Sequence, residues 1–178
     1  MIEKPHLNLY IHPCLNAALW YIAKIHYIYG EIPSENHVKR ECADGAGYIM
    51  DADKFQLVYV EGAKPKAKED KELADADKIS RNLKSMFLSI VKQITDSRRR
   101  IPNRIAIFGG QIDNANLPRD FNEMTDFIWY YECIIKWALL AYDMTLKFDE
   151  MKNQKRPSRD FYSRNMRLLD DLKIEQGI

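Results

Sequence analysis

Apolar positions along the chain fall into three patterns, and each predicts a different element. The longest run spans residues 121–151, FNEMTDFIWYYECIIKWALLAYDMTLKFDEM. On a 3.6-residue wheel its polar residues gather into one stripe through Asn122, Asp126, Glu132, Lys136, Asp143, Lys147 and Glu150. The rest of the circumference is apolar or aromatic. At 1.5 Å per residue such a helix is roughly 45 Å long. A helix so widely apolar needs neighbours on most sides, so a central beam at about 120–151 is expected.

Other segments repeat apolar residues every three or four positions. In 72–97 the stripe is Ala76, Ile79, Leu83, Met86, Ile90 and Ile94, widened by Leu73 and Phe87, with a polar opposite face. Residues 13–29 place Leu15, Leu19, Ile22, His26 and Tyr29 on one face, with Ile25 and Ile28 beside it and Gly30 as the stop. Pro33-Ser34 would open a short helix to about Ala43, which Gly45-Ala-Gly47 would end. Residues 158–173 predict a last amphipathic helix, with Phe161, Met166, Leu168, Leu169 and Leu172 buried.

The third pattern has period two. Phe55, Leu57 and Tyr59 alternate with Gln56, Val58 and Val60, and Tyr48–Met50 would pair with them across a tight turn. Arg104–Phe108 (RIAIF) is a second candidate strand, followed by Gly109-Gly110 as a turn. Residues 62–72, GAKPKAKEDKE, are polar and predict a loop or linker. The expectation is a mainly α (α+β) single domain over 1–178. It is a helical bundle around the long helix, with a small β-hairpin or short sheet at about 48–60 and 104–108.

Composition narrows this little. With 178 residues, 46% apolar and 30% charged, the chain is globular and long enough to bury one sizeable core. The net charge of +1 predicts no bulk attraction to nucleic acid or membrane. The charge lies in blocks, however: −5 over 31–77, +7 over 78–110, −5 over 111–151 and +3 over 152–178. Cys14, Cys42 and Cys133 form no CxxC, and Cys14 and Cys133 sit among apolar residues as expected buried thiols. A reducing, cytoplasmic setting or an assembled particle is expected. MIEKPHLN lacks the pattern of a signal peptide, and the apolar run at 127–142 is too short to span a membrane.

Candidate chemistry is sparse. Glu69, Glu72, Asp75 and Asp77 open the helix at 72–97, where carboxylates are favoured by the helix dipole. Their Glu69-x-x-Glu72 and Glu72-x-x-Asp75 spacing resembles the ExxE and ExxD pairs of the all-α nucleoside-triphosphate pyrophosphatases, the MazG-like group. That resemblance implies an all-α fold and Mg²⁺-dependent nucleotide hydrolysis. In that group the pairs lie on two helices, whereas here they overlap on one, beside a Lys-rich linker. His12-x-Cys14 and His37-x4-Cys42 are half-sites at most, because a structural zinc needs four ligands. No GxSxG or phosphate-binding glycine motif occurs.

No catalytic, cofactor-binding or metal residue is therefore assigned, and no cofactor is expected. The leading expectation is a non-enzymatic structural or assembly subunit, of the phage or virion connector type, that contacts other protein subunits or further copies of itself. Trp129, Tyr130 and Trp137 are its candidate interface, since Trp and Tyr are common at interface hot spots. The alternative is a nucleic-acid-binding accessory protein using Arg98, Arg99, Arg100 and Arg104 in one patch and Arg156, Arg159 and Arg164 in another. A metal-dependent nucleotide hydrolase comes third.

Overall fold

A computed structural model describes residues 10–33, 41–49, 55–63, 69–113 and 124–153. Their elements run α1 (His12–Ala23), β1 (Ile25–Pro33), β2 (Cys42–Ile49), β3 (Gln56–Ala63), α2 (Glu69–Asp96), β4 (Phe108–Asp113) and α3 (Met124–Asn153). The four strands form one sheet in the order β1-β2-β3-β4. β1, β2 and β3 are an antiparallel meander, and β4 lies parallel to β3 across the α2 crossover.

The fold is α+β, and the helical bundle around a central helix is not what forms. α1 and α3 pack together on one face of the sheet, and α2 covers β3 and β4 on the other. The sheet, not the long helix, is the middle layer. β3 shows why: Phe55 to Glu61 are all buried, as expected of a strand covered on both faces. Val58 and Val60 enter the core with α1 and α3, while Tyr59 packs with Ala43 and Met86 beneath α2.

The expected first helix stops six residues early. Pro13 sits in its first turn, where a missing N–H costs little. At Lys24 the chain turns left-handed (φ 57°), and its N–H bonds back to the Trp20 carbonyl at 3.2 Å. Ile25 and Tyr27 then point into the core while His26 and Ile28 are exposed. That two-residue alternation in β-branched and aromatic residues is a strand. Gly30, with φ 128°, lies where the β1–β2 register shifts, so it bends a strand instead of ending a helix.

Glycines mark close packing in two further places. Gly45 and Gly47 lie inside β2 and do not end a helix. A Cβ on Gly45 would sit 1.9 Å from the Tyr27 hydroxyl. Gly109 and Gly110 are in β4, not a turn, because helices press on both sides of this strand. A Cβ on Gly109 would meet Ile79 and Leu83 at 2.7 Å, and one on Gly110 would meet Trp137 at 2.6 Å. The second strand therefore starts at Phe108, where it was expected to end. Among the described residues no helix is long and apolar enough to cross a membrane. The helix expected at 158–173, and most of that expected from Ser34, lie outside the described residues.

Candidate functional site

The charged groups brought together by the fold lie at one end of the sheet. There the carboxyl ends of β3 and β4 meet the first turns of α2. In the β2–β3 ladder Gly45 pairs with Val60, which sets Asp44 opposite Glu61 one step further on. Both residues fall in register with Ala46 and Tyr59, hence on the α2 face. The Asp44 carboxylate accepts a 2.8 Å hydrogen bond from the Gly62 N–H. In the β3–β4 ladder Glu61 pairs with Gln111. Asp44, Glu61 and the exposed Gln111 thus form a row across three neighbouring strands.

Glu61 is 5% exposed. A carboxylate this buried needs partners, and it has two. The Tyr59 hydroxyl donates to Glu61 Oε1 at 2.6 Å, and Lys78 Nζ from α2 lies 2.8 Å from the same oxygen. Lys78 also donates to the Cys42 carbonyl at 2.7 Å. One turn later Asn82 donates to Glu41 at 3.0 Å, and Arg81 pairs with Glu41 at 3.3 Å. Burial pushes the Glu61 carboxyl above the usual carboxylate range. The hydrogen bonds from Lys78 and Tyr59 oppose that rise, and the Asp44 charge adds to it. Burial, with the Glu61 bond next in weight, also holds the Tyr59 phenol protonated. Glu61 has Lys78 and Glu41 has Arg81, but among the described residues no cation pairs with Asp44.

Such a cluster can bind a hard cation. Mg²⁺ commonly takes only one or two protein carboxylates, with waters and substrate phosphates completing its shell. Strand register sets Asp44 and Glu61 opposite each other as a candidate pair. Among the described residues no three His, Cys, Asp or Glu side chains gather to hold a metal without such help.

Beneath the site, on the other face of the sheet, His12 is buried. Its Nδ1 shares a 2.8 Å hydrogen bond with the Tyr27 hydroxyl, and its ring stacks on Tyr29 at 4.9 Å. Burial lowers its pKa to about 4, against a smaller pull upward from Asp44. His12 is thus neutral in the fold and braces β1 against α1. A His whose folded pKa is lowered contributes full stability above its unfolded value near 6.5, and that contribution is lost as the pH falls toward 4. The loss should reach on the order of 3 kcal/mol. Glu61, with its raised pKa, titrates in the opposite sense and offsets part of it. Urea unfolding of wild type and His12→Gln at pH 7.5 and pH 5 checks this. Equal pH slopes in the two proteins would show that His12 does not titrate with folding.

The residues singled out by sequence are spread elsewhere. Trp137 is core: half-buried, it covers Gly110 and meets Phe108 edge-on at 6.2 Å. Tyr130 is packed at the core margin, and Trp129 is 68% exposed. Arg98, Arg99, Arg100 and Arg104 follow the C-terminus of α2, at the opposite end of the sheet from Glu61. Arg98 is left-handed there (φ 52°). Arg156, Arg159, Arg164 and His37 lie outside the described residues. Cys133 is exposed, not buried, and all three thiols are free. Glu72, Asp75 and Asp77 are on the first turns of α2, and a mixed sheet stands in place of the all-α fold that the pyrophosphatase resemblance implied.

Asp44, Glu61 and Lys78 were missed because they are 17 residues apart in each step and follow no local spacing. The available signal was Glu61 itself, a carboxylate closing the apolar run FQLVYV. Compared with protein-family models, curated proteins and solved structures, the chain matches none.

Proposed function

We propose that the protein is a metal-assisted phosphodiester hydrolase whose site is Asp44, Glu61 and Lys78. The observation that supports this is the facing pair of carboxylates, one buried and one with no cation among the described residues, with a lysine from another element beside them. A Glu–Lys pair that only fastened α2 to the sheet would gain nothing from a second carboxylate opposite it, since like charges destabilise each other. A divalent cation between them turns that repulsion into a binding site.

Asp44 and Glu61 would hold Mg²⁺ or Mn²⁺, which supplies Lewis-acid activation of a phosphoryl oxygen and of water. Lys78 Nζ, already at the Glu61 carboxylate, is placed to stabilise the charge that develops on the phosphoryl oxygens. Gln111 offers an amide to a phosphate oxygen without adding charge. Water oxygen forms a bond to phosphorus and releases one proton to solvent, the phosphorus–oxygen ester bond breaks, and the departing oxygen takes a proton from solvent. Hydrolysis of bis(p-nitrophenyl) phosphate by the purified chain tests the reading. Activity with Mg²⁺ or Mn²⁺ that EDTA abolishes supports it; none with either metal counts against it.

A second reading, contact with other protein subunits, is favoured by the outer face of α3. Ile128, Trp129, Tyr131, Leu139, Leu140 and Leu146 are exposed along it, and large exposed apolar patches mark contact surfaces. It predicts concentration-dependent self-association by light scattering that Trp129→Ala with Leu140→Ala removes. A sharp monomer at high concentration would argue against it. The two readings use different faces and are compatible.

A further inference from the structure

The outer face of α3 carries an order that a general contact surface does not require. Ile128, Ile135, Leu139, Tyr142 and Leu146 follow one another at steps of seven, four, three and four residues, so they form one stripe along the helix. Ile135 is half-buried and the other four are exposed. Along one flank of the stripe run Glu132, Lys136, Asp143 and Lys147. They pair within the helix, Glu132 with Lys136 at 3.7 Å and Asp143 with Lys147, and neither pair ties α3 to another element. Every side chain of α3 from Ile128 to Asn153 is described, so the stripe and its charges are seen whole.

Along the helix the charges alternate acidic, basic, acidic, basic. Lys136 and Asp143 lie equally far from the midpoint between Leu139 and Leu140, on either side of it, and so do Glu132 and Lys147. Turned end for end, the row is therefore its own complement. We propose that α3 pairs antiparallel with α3 of a second copy of this chain, about a two-fold axis passing between Leu139 and Leu140. Lys136 then faces the partner's Asp143, and Glu132 faces the partner's Lys147. The symmetry makes each contact twice.

The inference rests on the reading of this face as a contact between protein chains, and adds the partner and its direction. An unrelated protein or a lipid surface would use the apolar stripe but does not call for charges symmetric about its midpoint. Antiparallel helices set one flank against the same flank of the partner, whereas parallel helices set it against the opposite flank. Only the antiparallel arrangement brings the charged row onto itself. It also interleaves the stripe: Ile135 falls between the partner's Tyr142 and the partner's Leu146, and Leu139 meets the partner's Leu139 near the axis, as ridges fit grooves. Exposed ion pairs contribute little singly. Burial of the stripe supplies the affinity, and the charges fix direction and register.

Sedimentation equilibrium of the full chain and two charge variants at low salt tests the pairing. Wild type should dimerise. Lys136→Glu and Asp143→Lys each put two like-charge contacts into the dimer and should raise its dissociation constant roughly tenfold. Both positions are on the surface, so thermal unfolding at low concentration should stay within a few degrees of wild type. Mixed in equal amounts, the two variants bring opposite charges together again at both contacts, and the mixture should dimerise about as tightly as wild type. Either variant dimerising alone like wild type, or a mixture no tighter than its components, overturns the antiparallel pairing and leaves the contact reading standing. A wild-type chain that stays monomeric at high concentration overturns the pairing and counts against the contact reading as well.

Discussion

Glu61→Gln should lower metal-dependent phosphodiester hydrolysis on the order of 10²–10³-fold, the usual cost of removing one preorganised electrostatic group from an active site. The substitution keeps the shape of the side chain and an oxygen to accept the Tyr59 hydroxyl, which lies 2.6 Å from Glu61 Oε1. It removes the charge that holds Lys78 and would hold the metal. Since Glu61 is buried, losing its charge also removes a desolvation cost, so the melting temperature should move by only a few degrees. Lys78→Met should give a loss of similar size, and Lys78→Arg should not restore activity, because a guanidinium is planar and larger than the ammonium it replaces. The pH profile gives an independent readout. Glu61 binds metal only when ionised, and burial raises its pKa. The acid limb of activity should therefore lie above the ordinary carboxylate range, and added metal should shift it downward. Wild-type activity in Glu61→Gln would end the hydrolytic reading.

The elements with a strong, one-sided period were legible from sequence. The 72–97 stripe predicts a helix that forms as Glu69–Asp96, and the alternation at 55–60 predicts a strand that forms as Gln56–Ala63. What misled was an assumption about neighbours. Ile25 and Ile28 continue the helical face of α1 by spacing alone, and only the left-handed turn at Lys24 separates helix from strand. Gly45, Gly47, Gly109 and Gly110 look like breakers in a one-dimensional reading. Inside a sheet they are the positions where Tyr27, Ile25, Leu83 and Trp137 approach the backbone. Once those glycines are read as breakers, β2 shrinks to Tyr48–Met50, β4 shifts to Arg104–Phe108, and the long helix is left with mainly helices to pack on. The site was lost with the sheet, because strand pairing is what sets Asp44 opposite Glu61.

Phe148→Ala should destabilise the fold by about 3–5 kcal/mol, whereas Trp129→Ala should change the stability of the monomer by no more than about 0.5 kcal/mol. The two residues lie on the same helix and belong to the same apolar arc or its flank, so a central beam would make both substitutions costly. In the layered fold they differ. Phe148 is fully buried and stacks on Phe55 of the β2–β3 link at 4.8 Å between ring centres. It lies in the stripe of Ile134, Ala138, Ala141, Met144 and Met151 that α3 presses onto the sheet and α1. Removing the ring leaves a cavity between two layers that strand pairing and helix packing prevent from collapsing. For a chain of this size each kcal/mol is worth about 2–4 °C in melting temperature, so Phe148→Ala should melt at least 6 °C lower. Trp129 faces outward on the opposite side, and its removal takes little from the monomer. Chemical denaturation at low protein concentration measures both. Equal losses would mean that α3 is enclosed on all sides, as its composition alone suggests. A loss at Trp129 that grows with protein concentration would instead locate the missing cover in a second chain, because only association makes stability depend on concentration.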